Sequence, residues 1–596
     1  MDQPSPHTEY TQRLEDRRRR AESLHRVHMR YGNIRLGIVI AAALMAWLAF
    51  GYDLFSPGWL LAPGVLFLCV AVLHERVLRR RNRARRSVRF YERGLARLED
   101  RWAGTGEAGN RFASDAHLYS PDLDLFGKGS LFELLSTTRT RAGEEELARW
   151  LAAPASVETI RLRHQAIEEL RDLTGLREEL ALLGGDVHSG VNARALATWS
   201  LKPRMLDSKP LRVAAAGLPV LAVMAAIVWA RYGLPSPFLA VLALEAGVAV
   251  ALRRTVLRVV HQLDHPARDL DLLAGILRLI ESQQFRSERL RQLRAMFDTD
   301  GHPPSRVIRR LDLLTDLVDS RDNVLVRLIG PPLMWTTQVA FAVEAWRHRN
   351  GASVRRWLDG IAEIGALVSL AAYSYEHPGD PFPEFAESGE PIFEAEGLGH
   401  PLLPEARFIR NDVRLGGELR ALVVSGSNMS GKSTLLRTIG VNVVLAMAGA
   451  PVRARRLRLS PLRLGACIRI TDSLQGGTSR FYAEITRLRN ILDLSGQESP
   501  LLVLLDELLN GTNSHDRRAG AEAVVRELIE RGAIGVVTTH DLALTQIAES
   551  VAPRASNVHF EDRIENGKIS FDYRLHPGIV TTSNALELMR SVGLRV

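Results

Sequence analysis

The sequence predicts an α/β domain, an all-α domain and four transmembrane helices arranged as two hairpins. Three observations lead to this prediction. Four apolar segments have the length of a membrane span, long Leu-, Arg- and Glu-rich stretches have helical spacing, and towards the C-terminus short β-rich runs alternate with helices. The length of 596 residues suffices for about four folding units. The composition, 46% hydrophobic and 24% charged, excludes a disordered or fibrous chain.

The apolar segments come in two pairs, each joined by a short turn that contains Pro and Gly. The pairs are 36–52 with 54–73, and 213–230 with about 235–252. Arginines flank the outer ends of both pairs, whereas the turns hold only Arg231, so the positive-inside rule puts both termini and the bulk of the chain in the cytoplasm. The sequence thus predicts a multi-pass protein of the cytoplasmic (inner) membrane. The alternative is a soluble protein in which these segments are buried helices.

Charged residues near the spans leave two further questions open. The formal net charge is +9, and the run from Arg76 to Arg89 holds eight arginines and no acid. Because this run directly follows an apolar segment, both anionic lipid and nucleic acid are candidate partners for it. Glu245 lies inside the fourth apolar segment, where a carboxylate marks either a transport path or a polar contact between helices.

A phosphate-binding loop follows the apolar run 422–425 and precedes an apolar helical stretch. The loop has the G-x-x-x-x-G-K-S pattern in its required strand–loop–helix context, with backbone N–H groups and a helix N-terminus facing the phosphates. We expect Lys432 to reach the β and γ phosphates and Ser433 to bind Mg²⁺. The predicted nucleotide-binding residues are Gly426, Ser427, Asn428, Met429, Ser430, Gly431, Lys432, Ser433 and Thr434.

Two more hydrophobic runs end in polar residues that complete an ATPase site. The run 501–505 ends in Asp506 and Glu507, and the run 534–539 ends in His540. We expect Asp506 to contact Mg²⁺, Glu507 to polarise the attacking water and His540 to sense the γ-phosphate. The C-terminal part is therefore predicted to be an α/β P-loop NTPase domain of the ABC ATPase type, which hydrolyses ATP with Mg²⁺ as cofactor.

Three loops near this site are harder to interpret. The polar loop 508–516 fits a dimer contact across the nucleotide, although a plain surface loop would have the same sequence. Residues 494–498 superficially match the signature of transporter ATPases but lie too close to Asp506 for an intervening helix, so we interpret them as a loop. The better candidate is 476–485, where a Gly-rich segment carrying Ser479 opens a helix and can direct N–H groups and a hydroxyl to a phosphate.

Together these motifs resemble the MutS family of mismatch-repair ATPases. The resemblance rests on 426–434, 477–484, 504–507 with 511–514, and 538–540, and upstream on 127–136, 138–151, 164–170, 399–402 and 408–411. It implies that Phe408 and Ile409 cover the adenine, that Ser479 acts in trans on the nucleotide of a partner subunit, and that the protein is a homodimer with a DNA-related role.

The apolar segments and the resemblance together divide the chain. The predicted regions are a charged N-terminal arm at 1–35, a transmembrane hairpin at 36–73, a basic juxtamembrane helix at 74–114, a MutS-like helical core or lever at 115–395 with the second hairpin inserted at about 213–252, and the MutS-like ATPase domain at 396–596. Ser427 and Ser430 replace the usual Pro and Gly of the phosphate loop, which removes no catalytic group.

Direct mismatch reading is not expected. Residues 1–114 carry spans and arginines in place of a domain with a Phe-x-Glu wedge, and Phe382-Pro-Glu384 fits that pattern only by spacing. The stretch 254–370 is too short for the second half of the core plus a full DNA clamp. We therefore expect a membrane-tethered MutS-like ATPase that uses ATP at a dimer interface to drive a conformational change. The alternatives are an ABC-type membrane transporter and a nucleotide-gated membrane scaffold.

Overall fold

The computed structural model describes residues 5–138, 140–183, 193–262, 270–297, 302–320, 326–327, 330–386, 389–427, 429–469, 480–495, 499–565 and 568–580. Its helices are α1 Pro6–Tyr52, α2 Leu61–Leu98, α3 Leu131–Leu135, α4 Arg141–Ala152, α5 Val157–Arg171, α6 Thr174–Leu183, α7 Ala193–Ser200, α8 Lys209–Tyr232, α9 Ser236–His261, α10 Leu270–Glu281, α11 Glu288–Met296, α12 Pro304–Asp319, α13 Trp335–Glu376, α14 Lys432–Ala448, α15 Arg480–Leu494, α16 Ser514–Glu530 and α17 Gln546–Ser550. Its strands are β1 Glu384–Phe385, β2 Phe393–Leu398, β3 Asn411–Leu415, β4 Ala421–Ser425, β5 Arg456–Leu459, β6 Arg463–Cys467, β7 Leu501–Asp506, β8 Ile534–Thr539, β9 Ala555–Glu565 and β10 Lys568–Pro577.

Helices α1 and α2 form one long antiparallel hairpin. Ser5 caps α1 through its hydroxyl, and the helix continues through the predicted arm into the apolar segment without a break at residue 35. The side chains change from charged to apolar at residue 36, but the charged residues of the arm are themselves good helix formers, so the backbone stays helical on both sides of that point. We call residues 6–35 and 74–98 the stalk. The predicted basic helix 74–114 is shorter than expected, since α2 ends at Leu98 and Asp100 adopts a positive φ of 56°.

Helices α8 and α9 form the second hairpin, closed by Gly233 in the left-handed conformation. Its outer ends pack into the helical core, because Ala215, Leu218 and Leu252 are buried there. The outer ends of the predicted apolar segments 213–230 and 235–252 are therefore covered by protein on one side only, since Val213 and Val250 are exposed. Glu245 is 3% exposed, and both its carboxylate oxygens have no hydrogen-bond partner among the residues that the structure describes.

Four helices of the described chain, α1, α2, α8 and α9, are long and apolar enough to cross a membrane. Between 6% and 22% of the residues in their most apolar windows are buried by protein. Most of this apolar surface has no protein neighbour within the described part of the chain.

The helical core is organised around α13, a 42-residue helix of about 63 Å. Small residues let other elements approach its backbone closely. A Cβ atom at Gly351 would clash with the carbonyl oxygen of Ser200, and one at Gly360 would lie 2.8 Å from the ring of Phe297. Helix α13 runs from the base of the second hairpin, near Ala215, to the base of the stalk, near Tyr10.

The ATPase domain contains a six-stranded sheet in the order β10-β9-β4-β8-β7-β6. Strands β9, β4, β8, β7 and β6 are parallel to their neighbours, and the edge strand β10 is antiparallel to β9. A second sheet, in the order β1-β5-β2-β3, joins this domain to the end of α13. The expected α/β architecture is present, with fully buried central strands β4 and, up to Leu505, β7.

Candidate nucleotide site

The register of the sheet brings the polar ends of three strands together. Ser425 at the end of β4 is level with Thr539 of β8, and Asp506 at the end of β7 is level with Thr538. The phosphate loop, the acidic pair and His540 therefore leave the same edge of the sheet. Ligands of open α/β sheets bind outside the carboxyl ends of the strands, which is where these residues lie.

Among the described residues of the phosphate loop, Gly426, Met429 and Gly431 have a positive φ. Lys432 is the first residue of α14, and its Nζ donates to the carbonyl oxygens of Gly426 at 2.8 Å and Ser427 at 2.7 Å. Burial lowers the pKa of Lys432, and nearby carboxylates, Glu507 foremost, act in the opposite direction. The ammonium group is thus held inside the curve of the loop.

The loop has unsatisfied donors of the kind that a phosphate would use. The hydroxyls of Ser427 and Ser430 are buried without a hydrogen-bond partner in the described part of the chain. The first N–H groups of α14 open onto the same loop, beside the partly exposed Ser433. This donor set fits a phosphate group. The remaining loop positions are the exposed Met429 and Thr434; Asn428, like Ser479, lies outside the described residues.

Asp506 and Glu507 have different surroundings. Asp506 accepts a hydrogen bond from the Thr538 hydroxyl, so it is fixed to the neighbouring strand end. Glu507 has a positive φ of 49°, an uncommon backbone state for a residue with a side chain. Its Oε2 accepts from Asn510 Nδ2 at 2.8 Å, and its Oε1 lies 3.2 Å from His540 Nδ1. The structure therefore brings Glu507 and His540 together, with Asn510 as a third group that the sequence did not single out.

Residues around the expected adenine site come from two distant parts of the chain. Ile409 is exposed, whereas the ring of Phe408 packs against Gly399 so closely that a Cβ atom there would clash with it. Asn411 donates to the carbonyl of Tyr573 at 3.0 Å, and its Oδ1 accepts from the backbone N–H of Leu575 at 2.8 Å. This side chain joins the segment that carries Ile409 to strand β10.

Tyr573 is a site residue that the sequence did not reveal. It lies in an irregularity of β10, has a φ of 52°, and its ring would be 3.2 Å from a Cβ atom at Gly431. An aromatic ring placed over the phosphate loop can cover a bound base or close the loop from solvent. No sequence motif surrounds Tyr573.

A buried ionic cluster ties the start of the helical core to this domain. Asp122 is fully buried and accepts from the backbone N–H groups of Ile468 at 2.8 Å and Arg469 at 2.6 Å. Its second oxygen pairs with Arg487 of α15. Burial raises the pKa of Asp122, against the effect of Arg487 and the two N–H groups. The segment around Asp122 therefore braces the end of β6 and helix α15 together.

The structure also shows where three other segments named in the sequence analysis lie: the loops 494–498 and 508–516, and the Phe-x-Glu segment at 382–384. Helix α15 ends at Leu494, as the interpretation of 494–498 as a loop requires, although 496–498 lie outside the described residues. In the 508–516 loop, Asn513 caps α16 by accepting from the N–H of Asp516 at 2.9 Å. The ring of Phe382 packs against His164 with ring centroids 4.3 Å apart, and Pro383 is buried, whereas Glu384 is exposed.

A phosphate loop at the head of a helix, an Asp-Glu pair at the end of a buried strand and a histidine at the next strand end together define a P-loop ATPase fold. Comparison with known families agrees: the model of MutS domain V matches residues 422–595, and that of MutS domain III matches residues 117–330. The chain is thus a MutS-family protein that carries these two domains, which confirms the resemblance at the level of the family.

Named relatives match shorter stretches. The chain is 36% identical over 239 residues to DNA mismatch repair protein MutS 2 of Halobacterium salinarum, covering 39% of this chain and 27% of that protein. It is 33% identical over 259 residues to DNA mismatch repair protein MSH6 of Arabidopsis thaliana, covering 40% and 19%. It is 36% identical over 203 residues to Endonuclease MutS2 of Thermus thermophilus, covering 33% and 25%. The matches span about a quarter of the length of these relatives.

Proposed function

We propose that this chain is a membrane-tethered MutS-like ATPase, which binds and hydrolyses ATP at the interface of a homodimer and uses the cycle to move its helical core. The observation that carries the proposal is the convergence of Lys432, Asp506, Glu507 and His540 at one edge of the sheet. The family relationship supports a role related to DNA mismatch repair, although we do not expect this chain to read mismatches itself.

The roles of the site residues follow from their surroundings. Lys432 would exchange its two carbonyl acceptors for phosphate oxygens, since a buried ammonium group gains more from an anion than from neutral carbonyls. Ser433 and Asp506 would hold Mg²⁺, which supplies neutralising charge when bound. Glu507 would orient and polarise water, with Asn510 and His540 fixing its two oxygens. The exposed Ile409, with Phe408 behind it, would border the base.

Membrane attachment is supported by the two helical hairpins and by the arginines at their outer ends. The apolar surfaces of α1, α2, α8 and α9 are mostly uncovered by protein, and removing such large areas from water requires lipid or a partner. The arginine distribution favours a cytoplasmic-membrane protein with the ATPase domain in the cytoplasm. Expression with a reporter at each turn, near residues 56 and 234, would test this orientation; reporters accessible from the cytoplasm would contradict it.

The catalytic proposal is tested with nanodisc-embedded full-length protein. We expect Glu507→Gln to bind ATP while its turnover falls at least about 100-fold, because general-base groups contribute 10²–10⁴. Lys432→Ala should weaken binding itself. Glu549→Gln, an exposed carboxylate change in the same domain, is the matched control. Wild-type turnover in Glu507→Gln would remove our assignment of the base.

The dimer proposal is tested by mixing variants. If Ser479 acts across the interface, a mixture of Ser479→Ala and Lys432→Ala subunits should retain at most one competent site per dimer. The specific activity should also fall when the protein is diluted below its dimerisation range. A specific activity independent of concentration, with no dimer detected, would contradict the proposal.

The partner of the ATPase is tested with nucleic acid and lipid side by side. ATPase activity is measured with duplex, mismatched and branched DNA, at several salt concentrations, in nanodiscs with and without anionic lipid. Stimulation by DNA that weakens steeply with salt would support a DNA-related role, since phosphate contacts release counterions. Activity unchanged by every DNA would contradict that role and leave the ATPase assignment intact.

A further inference from the structure

Potential metal ligands gather on the β9–β10 hairpin, outside the nucleotide site. Glu561 of β9 and Asp572 and His576 of β10 each offer a ligand atom, and these atoms all lie within 4.8 Å of one another. The three side chains are partly exposed, at 37%, 24% and 33%, so an ion from solvent can reach them. Carboxylate oxygens and imidazole nitrogens are both ligands that divalent transition-metal ions bind in proteins.

A fourth group, His559, points towards the same place. It is directly opposite His576 in the strand pairing, and the two ring centroids are 5.7 Å apart. His559 Nδ1 lies 3.1 Å from the carbonyl oxygen of Gly578. A carbonyl oxygen only accepts, so Nδ1 is the donor in this contact and Nε2 is the nitrogen that faces the cluster. That Nε2 lies 3.9 Å from Glu561 Oε1. A backbone carbonyl that fixes the ring in this way is the usual outer partner of a metal-binding histidine.

From this geometry we propose that His559, Glu561, Asp572 and His576 form a binding site for a divalent transition-metal ion, for which Zn²⁺ is the appropriate probe. In a tetrahedral zinc site with bonds of about 2.0–2.2 Å, neighbouring ligand atoms are about 3.3 Å apart. The observed His576 Nε2–Asp572 Oδ2 separation is 2.8 Å, and the widest among Glu561, Asp572 and His576 is below 4.8 Å. Side-chain rotations that shorten these separations by up to about 1.5 Å would close the site around these three residues, and His559 approaches it on the side of Glu561.

The location gives the ion a structural consequence. The pairing of β10 with β9 shifts between Phe571 and Leu575, so residues 572–574 form an irregular segment. Asp572 lies at its start and His576 just beyond its end, while Tyr573 inside it packs over the phosphate loop at Gly431. An ion that joins Asp572 and His576 to β9 would fix the shape of this segment. It would therefore hold Tyr573 in place from the other side of the strand.

The test is zinc binding by the full-length protein in nanodiscs, stripped with chelator and free of nucleotide and Mg²⁺. The double variant Asp572→Asn/His576→Asn should bind one Zn²⁺ fewer per chain than the wild type, or bind it at least about 100-fold more weakly, because losing outer partners alone costs 10–100-fold. Co²⁺ provides a second probe, whose visible absorption reports nitrogen and oxygen ligands in the wild type and should disappear in the variant. Neither readout depends on ATP hydrolysis.

Two controls separate this site from other histidines. His515→Asn changes an exposed histidine of the same domain and should leave zinc binding unchanged. His28→Asn removes a histidine that contacts His74 on the stalk, the other place where imidazoles meet in the described chain. A decrease in zinc stoichiometry in His28→Asn would report zinc bound at the stalk, and it is measured separately from the decrease in the double variant. Should the double variant fold poorly without metal by circular dichroism, Glu561→Gln, at a partly exposed position, replaces it.

Hydrogen exchange supplies the structural readout. Zn²⁺ should slow amide exchange in residues 570–577 of the wild type and leave that of the double variant unchanged. Equal zinc stoichiometry and affinity in both proteins would overturn the proposal and reduce the cluster to an ion pair. Zinc binding without slowed exchange at 570–577 would retain the metal site and overturn its effect on the segment that carries Tyr573.

Discussion

A buried ion pair joins the stalk to the end of α13, and breaking it should loosen that junction selectively. Arg97 of α2 donates two hydrogen bonds to the carboxylate of Glu376, at 2.7 and 2.6 Å, and Tyr10 of α1 donates a third at 3.3 Å. The side chains of Arg97 and Glu376 are 12% and 1% exposed. Glu376→Gln keeps the shape and removes the charge, so Arg97 is left buried beside a neutral amide.

The expected cost follows from this burial. Removing one member of a buried pair costs about 3–5 kcal/mol, because the remaining charge has lost its partner away from water. The amide introduced by Glu376→Gln can still accept one hydrogen bond, which puts the expectation near the lower end, about 3 kcal/mol. That energy corresponds to roughly a 100-fold increase in the opening equilibrium of the junction. Replacing both partners, as in Arg97→Met/Glu376→Gln, should recover much of the loss.

Amide hydrogen exchange of nanodisc-embedded protein measures this opening at residues 370–376 and 91–98. The matched control is Glu384→Gln, which removes an equally close bidentate partner of Arg456 where the two side chains are 54% and 55% exposed. Exposed pairs contribute about 0–1 kcal/mol, so the control should change little. If Glu376→Gln accelerated exchange no more than Glu384→Gln, the stalk would not be held by this pair and our account of the junction would be wrong.

Three further outcomes are expected. Tyr573→Ala should weaken ATP binding about 10-fold by equilibrium titration, whereas Tyr573→Phe should not, since the ring rather than the hydroxyl lies over the loop. Burial lowers the pKa of His164 to about 4. Between about pH 6.5 and 4 this imidazole is therefore protonated in the unfolded chain but not in the folded one, so the free energy of unfolding falls as the pH falls. His164→Leu should remove about 2 kcal/mol of the stability lost between pH 7 and 5, and the exposed His348→Leu none. Asp122→Asn should destabilise the chain by about 3 kcal/mol in urea unfolding, and its more exposed neighbour Asp124→Asn by far less.

The ends of three central strands of the ATPase domain could be predicted to within about one residue, because parallel strands that are buried on both faces are continuous apolar runs in the sequence. The expected runs 422–425, 501–505 and 534–539 correspond to β4, β7 and β8. The end of the arm could not be predicted in the same way. Hydropathy changes at residue 36, but α1 passes through that point, because a helix ends where its backbone is interrupted and not where its surroundings change.

The site was predictable where its residues are close in sequence to a strand end. Asp506, Glu507 and His540 each follow an apolar run directly, so the sheet places them without further information. Tyr573 is far along the chain from the phosphate loop that it covers, and it arrives there through a local irregularity in an edge strand. Asn411 fixes that strand through hydrogen bonds that no motif encodes. Such contacts depend on tertiary pairing and leave no local pattern.

The two hairpins attach to opposite ends of one helix, which would set the distance of the ATPase domain from a bilayer if both hairpins cross one membrane, as we propose. From Gln338, which donates to Ala215 at the second hairpin, to Glu376 at the stalk, α13 extends for about 57 Å. The second hairpin enters the core directly, whereas the first reaches its span through about 38 Å of stalk between Tyr10 and Arg35. If both spans share one membrane, α13 must therefore run obliquely away from it. Its far end, held by the stalk and leading within eight residues to β1, would carry the ATPase domain up to about 40 Å from the lipid, so a rotation of that domain would act first on the base of the stalk.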